Sequence, residues 1–215
     1  MAKKRALAKN SGIEAGGSRP AETIAGLRII AGALRGRKIE YSGDVRTRPM
    51  KDRVREAVFN LLGYGVEGSH AIDLFAGTGA MALEALSRGA TQATCIERHY
   101  PTVKLIEKTA GQLGLADRLQ AVFGDAFLWT KSYAPPPDSP PLTVFCSPPF
   151  DFFVDRQAEM LALIARWCEI GPRGSQIVVE SDERFDFSRL SDAPRWDVRA
   201  YPPAVVGIWE NAQAQ

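Results

Sequence analysis

Two short segments of the chain carry residues whose types and spacing could perform chemistry. The first, Asp73-Leu-Phe-Ala-Gly-Thr-Gly79, places two glycines directly after an apolar run. Glycines there permit a tight strand-to-helix turn and a close approach of ligand to backbone, which a Cβ would block. The second, Cys146-Ser147-Pro148-Pro149-Phe150, offers a hydroxyl and a rigid carbonyl beside an aromatic ring. Together they indicate a bound nucleoside-type ligand and a clamp for a planar amino group.

The second segment has the groups needed to activate the exocyclic amine of a nucleobase, whose lone pair is delocalised into the ring. The Ser147 hydroxyl and the Pro148 carbonyl can accept hydrogen bonds from the NH₂ and draw its nitrogen toward tetrahedral geometry. The Pro148-Pro149 pair restricts the backbone, and Phe150 can stack on an extruded base. We interpret these four residues as candidate catalytic groups. Because further prolines lie nearby, a plain proline-rich loop is the alternative.

The first segment is weak evidence alone, since a single Gly-x-Gly turn is common. Glu97 ends the next predicted strand, where a carboxylate can accept both ribose hydroxyls, and Asp125 ends the third, placed for an adenine amino group. The third glycine of a dinucleotide fingerprint is missing, because Met81 and Ala82 follow the turn. Asp73 suits an ammonium group, which favours S-adenosylmethionine over NAD. The candidate cofactor-binding residues are Asp73, Phe75, Ala76, Gly77, Gly79, Glu97, Arg98, Asp125 and Ala126.

Alternating strands and helices are expected to hold these groups. The pattern predicts strands at 70–75, 92–97, 119–123, 142–146 and 176–180, and helices at 80–88, 101–113, 126–131 and 152–169. The runs 196–201 and 204–210 can pair as a closing hairpin. Upstream, the sequence predicts a short hairpin around Gly32 and Gly36 and a helix capped by Asp52. The strand–helix alternation indicates an α/β fold with a doubly wound, mostly parallel sheet.

Positive charge is concentrated ahead of the glycine turn, although the net charge is only +2. Between positions 27 and 55 the basic residues are Arg28, Arg35, Arg37, Lys38, Arg46, Arg48, Lys51, Arg53 and Arg55, and the acidic ones are Glu40, Asp44 and Asp52. A charge run is usually a solvated face. This one lies in a glycine-punctuated segment, which favours a surface that contacts a phosphate backbone.

Cysteine, histidine and apolar patterns exclude several classes of protein. The chain has three cysteines without a Cys-x-x-Cys pair and two histidines, so we expect free thiols in a reducing cytoplasm and no metal site. No apolar run approaches the length that spans a bilayer, so no membrane contact is expected. The N-terminus lacks the apolar segment of a secretory signal. Residues 1–26 are interpreted as a disordered basic tail.

From residue 27 to about residue 210 the chain resembles the bacterial small-subunit (16S) ribosomal RNA guanine-N2 methyltransferases. The specific part is Arg48-Pro49 followed by Asp52-Arg-Val-Arg-Glu-Ala-Val-Phe-Asn60. Other matching segments are Arg28-Ile-Ile-Ala-Gly32, Arg35-Gly-Arg37, Asp73–Gly79, Leu83-Glu-Ala-Leu-Ser-Arg-Gly89 and Pro148-Pro149-Phe150.

The resemblance implies methyl transfer from S-adenosylmethionine to N2 of a guanine in ribosomal RNA. It also implies a seven-stranded, Rossmann-like methyltransferase fold, with residues 27–65 as an N-terminal hairpin and helix that contact RNA and 66–215 as the transferase domain. Ribosomal RNA or a small-subunit assembly particle is then the partner of a cytoplasmic monomer. The residues expected to bind RNA are Arg28, Arg35, Arg37, Lys38, Arg48, Lys51 and Arg53.

Position 147 departs from the family, which usually carries Asp where this chain has Ser147. A serine hydroxyl is a neutral and weaker acceptor than a carboxylate. Ser-Pro-Pro does occur in enzymes that methylate cytosine N4. Two alternatives therefore stay open: a DNA amino-methyltransferase, and a catalytically weak RNA-binding or ribosome-assembly protein that kept the fold.

Overall fold

A seven-stranded mixed sheet forms the centre of the computed structural model, which describes residues 26–44, 47 and 49–212. The strand order is β3-β2-β1-β4-β5-β7-β6. The strands are β1 (His70–Asp73), β2 (Gln92–Glu97), β3 (Leu119–Phe123), β4 (Leu142–Cys146), β5 (Gln176–Asp182), β6 (Asp197–Tyr201) and β7 (Ala204–Glu210). The first five are parallel, and β7 runs antiparallel to both β5 and β6. The predicted α/β fold with a mostly parallel, Rossmann-like sheet is confirmed.

Helices connect the parallel strands and cover the sheet. They are α1 (Asp52–Leu62), α2 (Ala80–Ser87), α3 (Tyr100–Gln112), α4 (Ala126–Ser132), α5 (Phe152–Asp155) and α6 (Gln157–Ile170). Short 3₁₀ turns lie at Gly63–Val66, Phe187–Arg189 and Ala193–Arg195. The chain runs from β1 outward through β2 and β3 and then crosses back to β4, so the strand order reverses between β1 and β4. In open α/β sheets this switch point is where ligands bind. No helix among the described residues is both long enough and apolar enough to cross a bilayer.

Several sequence expectations for these elements were wrong in detail, and β1, predicted over 70–75, ends at Asp73. The helix predicted over 152–169 is two helices, because Arg156 takes non-helical torsions (φ −128°, ψ 31°) and places its guanidinium over the Phe127 ring. Strand β5 extends past the predicted end at 180, because Asp182 still pairs with Ala204 of β7. The N-cap of α1 is Lys51 rather than Asp52, whose carboxylate instead accepts a hydrogen bond from Arg55.

The segment that precedes α1 shares its core with the sheet. Arg28 and Lys38 form one isolated antiparallel bridge rather than two full strands of a hairpin. The buried side chains of Leu27, Ile29 and Ile39 belong to the same hydrophobic cluster as residues of α1 and α2. Burial of this apolar surface fixes the segment beside the helix that follows the glycine turn.

Glu84 of α2 anchors this segment through its backbone. Its carboxylate is fully buried and accepts hydrogen bonds from the N–H groups of Ile30 (2.7 Å) and Ala31 (2.9 Å). It also accepts one from Arg88 Nε at 2.9 Å. A buried carboxylate is tolerated only when several donors satisfy it in this way.

Arg55 of α1 completes the anchor. Its guanidinium is fully buried, donates to the Arg28 carbonyl at 2.7 Å and to Asp52 at 2.9 Å, and forms an ion pair with Glu84 at 3.7 Å. Burial lowers the Arg55 pKa, while the charges of Asp52 and Glu84 oppose that shift. Three of the segments that carry the family resemblance, around Arg28, Asp52 and Glu84, therefore contact one another directly. Part of the family resemblance therefore reflects residues that hold the fold together rather than residues that contact RNA.

Gly32 lies where the N-terminal segment presses most closely on α2. Its φ is +79°, and a Cβ there would come within 1.9 Å of the Ser87 carbonyl oxygen. We expect Gly32→Ala to lower the free energy of unfolding by more than about 2 kcal/mol, since strain and a backbone clash add. Gly36→Ala is the matched control, because Gly36 has φ +80° with open space around it. Urea denaturation of both variants checks this: equal losses would mean that the contact with Ser87 contributes nothing.

Candidate active site

A cleft of about 1020 Å³ opens at the carboxyl ends of β1, β2, β4 and β5. It brings together most residues of the two sequence motifs. Of the predicted site residues, its walls contain Lys51, Phe75, Gly77, Glu97, Arg98, Asp125, Ala126, Ser147, Pro148, Pro149 and Phe150. Three predicted cofactor residues lie behind that surface: Asp73, Ala76 and Gly79.

Glu97 fixes the glycine turn at the wall of the cleft through hydrogen bonds with the backbone. Gly77 (φ +51°) and Gly79 (φ +73°) both adopt left-handed torsions, and Gly79 is the N-cap of α2. The two Glu97 oxygens accept hydrogen bonds from the backbone N–H groups of Gly77 (2.9 Å) and His99 (2.7 Å). A carboxylate has about four acceptor sites, so Glu97 keeps capacity for donors of a ligand in the cleft.

Asp73 lies beneath this turn at the end of β1 with only 2% of its surface exposed. Backbone N–H groups of Ala82 and Phe75 bond its carboxyl, but one oxygen, Oδ2, has no partner among the described residues. Burial, together with the charge of Glu97, raises the Asp73 pKa to about 7. A buried carboxyl with an unsatisfied oxygen is well suited to pair with a cation.

Asp125 has a structural task in addition to its place in the cleft. Its Oδ1 accepts hydrogen bonds from the N–H groups of Phe127 (2.9 Å) and Leu128 (3.0 Å) and so caps α4. This cap fixes the loop that forms the adjoining wall. The sequence analysis assigned Asp125 to the ligand alone and missed this role.

The clamp segment leaves the sheet immediately after β4. Ser147 is half-buried, and its Oγ is buried without a well-formed hydrogen bond to any described residue. Pro148 is buried, Pro149 is exposed, and the half-buried ring of Phe150 packs against the core cluster that contains α1 and α2. The segment therefore presents an unsatisfied hydroxyl on a rigid backbone.

The neighbouring thiol of Cys146 is not a nucleophile. The side chain is fully buried, and burial raises the Cys146 pKa far above its ordinary value. A thiol that stays protonated at neutral pH is unreactive. Cys146 therefore does not act as a covalent nucleophile at this edge of the sheet.

Five charged residues on the cleft wall were not among the predicted site residues: Asp44, Asp151, Glu180, Asp182 and Arg184. Arg184 bonds two of these aspartates, at 2.9 Å to Asp151 and 2.8 Å to Asp182. Glu180 is 9% exposed, and burial raises its pKa to about 7, an effect that the Ser147 hydroxyl opposes. The available signal was the position of Glu180 at the end of an apolar strand, the same edge as Glu97 and Ser147.

The basic residues of the N-terminal segment divide into a surface set and an internal one. The exposed side chains are those of Arg28, Arg35, Arg37, Lys38, Lys51 and Arg53. Arg28 lies 3.7 Å from Asp52, and Lys51 lies on the wall of the cleft. Arg55, counted in the basic run, is buried and unavailable to a phosphate. Arg48, also expected to bind RNA, lies outside the described residues.

Comparison with known proteins decides the family. The family model described as Conserved hypothetical protein 95 matches residues 27–196. Ribosomal RNA small subunit methyltransferase D of Haemophilus influenzae is 34% identical over 143 residues, which cover 66% of this chain and 72% of the relative. The chain belongs to this family.

Other family relatives are matched over a smaller part of their length. Ribosomal RNA small subunit methyltransferase D of Escherichia coli is 38% identical over 58% of this chain, and that match spans 60% of the relative.

Among solved structures, a provisionally named methyltransferase from Escherichia coli has 29% identity and a TM-score of 0.69, with 88% of this chain and 99% of that one covered. An RNA methyltransferase from Salinibacter ruber, solved with S-adenosyl-L-homocysteine, has a TM-score of 0.54 at 20% identity, over 78% of this chain and 96% of that one, and shows the shared fold.

Proposed function

We propose that the protein transfers a methyl group from S-adenosylmethionine to the exocyclic N2 of a guanine in small-subunit ribosomal RNA. One observation carries the proposal: the glycine turn with Glu97 and the segment Ser147–Phe150 open into the same cleft. A donor on the first and an amino group on the second would meet inside one cavity. Holding two reactants in line in this way accounts for much of an enzyme's rate gain.

The residues present fit S-adenosylmethionine. Glu97 has acceptor capacity for the ribose hydroxyls, and Gly77 allows the ligand to approach the backbone. The unpaired Oδ2 of Asp73 is an orphaned buried acceptor on this side of the sheet, and it suits the ammonium of the methionine part. When bound, S-adenosylmethionine supplies an electrophilic methyl group.

The clamp orients the amino group. Ser147 Oγ and the Pro148 carbonyl accept its two hydrogens, and the proline pair prevents both acceptors from turning away. Phe150 provides an aromatic face for the base, which must leave its stack to enter the cleft.

The RNA side of the proposal rests on charge and on family membership. Among the exposed basic side chains of the N-terminal segment, that of Lys51 lies on the wall of the cleft. Lys and Arg neutralise phosphates without reading sequence. Relatives named ribosomal RNA small subunit methyltransferase D support ribosomal RNA as the substrate.

A transfer assay with labelled donor tests the proposal. Ribosomal RNA that lacks the modification is incubated with the purified chain and digested to nucleosides, and the labelled nucleoside is identified by mass. We expect label on guanine N2. Label on cytosine N4 or adenine N6 of DNA would support the DNA amino-methyltransferase, and RNA binding without transfer would support the assembly protein.

Donor binding is expected to depend on pH through Asp73. Its folded pKa is raised to about 7, so a proton competes with the donor's ammonium below that pH, and affinity falls as the pH falls. We expect the Kd for S-adenosylhomocysteine to rise about tenfold per pH unit from pH 7 to 5.5. Calorimetry in that range checks this. Asp73→Asn is the control and should bind weakly without the pH slope; the same slope in this variant would exclude Asp73 as its source.

A further inference from the structure

Glu180 supplies a second acceptor beside the clamp. The register of the parallel pair places Cys146 of β4 opposite Val179 of β5. Ser147 follows the last residue of β4 and Glu180 is the next residue of β5, and the Ser147 hydroxyl is near enough to Glu180 to lower its pKa. Both line the cleft. The hydroxyl that lacks a well-formed partner therefore has a carboxyl as its neighbour.

We propose that Glu180 is the residue that selects guanine, providing at the end of β5 the carboxylate that position 147 lacks. This inference rests on the proposed function. Glu180 is more than nine-tenths buried and lies on the cleft wall, where a base held by Ser147 would reach it. It would touch the base itself.

The hydrogen-bonding edge of guanine explains the selection. Guanine carries an N1–H donor next to its N2 amine, and Glu180 accepts this N1–H while Ser147 and Pro148 accept the two N2 hydrogens. Adenine and cytosine carry a ring nitrogen lone pair next to their amine, which a carboxylate repels. A neutral serine clamp alone does not distinguish these cases. A base that leaves a buried group of the site unpaired, or that this group repels, is typically strongly disfavoured against the correct base.

The neighbouring carboxylates Asp151 and Asp182 are already paired. Asp151 and Asp182 both bond Arg184, which lowers the Asp182 pKa. Tyr201 of β6 also lines the cleft. Asp73 also has a pKa raised to about 7, so rates are compared at saturating S-adenosylmethionine, where its effect on donor binding does not limit transfer. Glu180 is the other carboxyl of the site with a pKa raised to about 7. As an acceptor it must be ionised, so transfer should rise with pH up to that value and level off above it.

The test compares the wild-type chain with Glu180→Gln, with Ser147→Asp/Glu180→Gln, and with Glu183→Gln as an exposed control. We expect Glu180→Gln to lower transfer to guanine at least 100-fold while the Kd for S-adenosylhomocysteine stays within twofold, which also shows that the variant is folded. Restoring a carboxylate with Ser147→Asp should recover at least tenfold. At saturating S-adenosylmethionine, the rise in rate between pH 6 and 8 should disappear in Glu180→Gln, and Glu183→Gln should match the wild type.

Three results overturn the inference and leave the proposed function intact, and the first two are wild-type transfer at saturating S-adenosylmethionine that does not change between pH 6 and 8, and Glu180→Gln within threefold of the wild-type rate at pH 8. A double variant no faster than Glu180→Gln alone also overturns it. If the wild-type chain places no methyl group on guanine N2, the proposed function fails and the inference fails with it.

Discussion

Replacing Glu84 with alanine is expected to lower the free energy of unfolding by about 3–5 kcal/mol, the usual cost of breaking a buried ion pair from one side. The substitution leaves the Arg55 guanidinium buried without its partner. It also removes the acceptor for the backbone N–H groups of Ile30 and Ala31. The N-terminal segment then loses its main polar attachment to α2.

Chemical denaturation measures this loss, and Glu107→Ala is the matched control. Glu107 pairs with Lys104 on an exposed face at 2.7 Å, and exposed pairs contribute about 0–1 kcal/mol. Hydrogen exchange should show increased opening at residues 27–39 in Glu84→Ala. A loss no larger than that of the control would show that Arg55 and Glu84 do not hold the segment.

Replacing Glu97 with alanine is expected to weaken donor binding about 100-fold or more. If Glu97 accepts hydrogen bonds from both ribose hydroxyls, as proposed, the variant loses two charge-assisted bonds that each contribute about 1.5–3 kcal/mol. It also frees the Gly77 and His99 backbone N–H groups that Glu97 holds. Calorimetric titration with S-adenosylhomocysteine measures the affinity.

A deoxy ligand separates the two contributions. If Glu97 contacts the ribose, the wild-type chain should prefer S-adenosylhomocysteine over its 2′-deoxy analogue, and Glu97→Ala should lose that preference. Equal discrimination by both proteins would confine Glu97 to holding the turn. Affinity within threefold of wild type would contradict the assigned role altogether.

The elements of the fold could be predicted from the sequence wherever its local signals agree. Apolar runs of five or six residues set β2, β3 and β4 at the predicted bounds, and the predicted closing hairpin is present as β6 and β7. Glycine after an apolar strand located the turn at Gly77 because few other residues accept its torsions. The same glycines are the residues expected to lie next to a bound ligand, so one sequence pattern predicts both the turn and the candidate binding site.

The features that could not be predicted from the sequence depend on contacts between distant parts of the chain. Nothing local distinguishes Arg55, which is buried against Glu84, from Arg53, which is exposed. The sequence places Glu180 at the end of an apolar run, but the β4–β5 register is what places it beside Ser147. The break at Arg156 likewise accompanies a side chain that lies over Phe127, from another helix. Long-range pairing decides such positions, and single-sequence patterns do not carry it.

Nucleoside mass analysis of 16S ribosomal RNA tests the central claim most directly. RNA is compared from cells without the protein, cells with the wild-type chain and cells with Glu97→Ala. We expect the level of N2-methylguanosine to be lower in the first, restored by the wild type and not restored by Glu97→Ala. An unchanged level of N2-methylguanosine in all three, or a loss confined to another modified base, would contradict the claim.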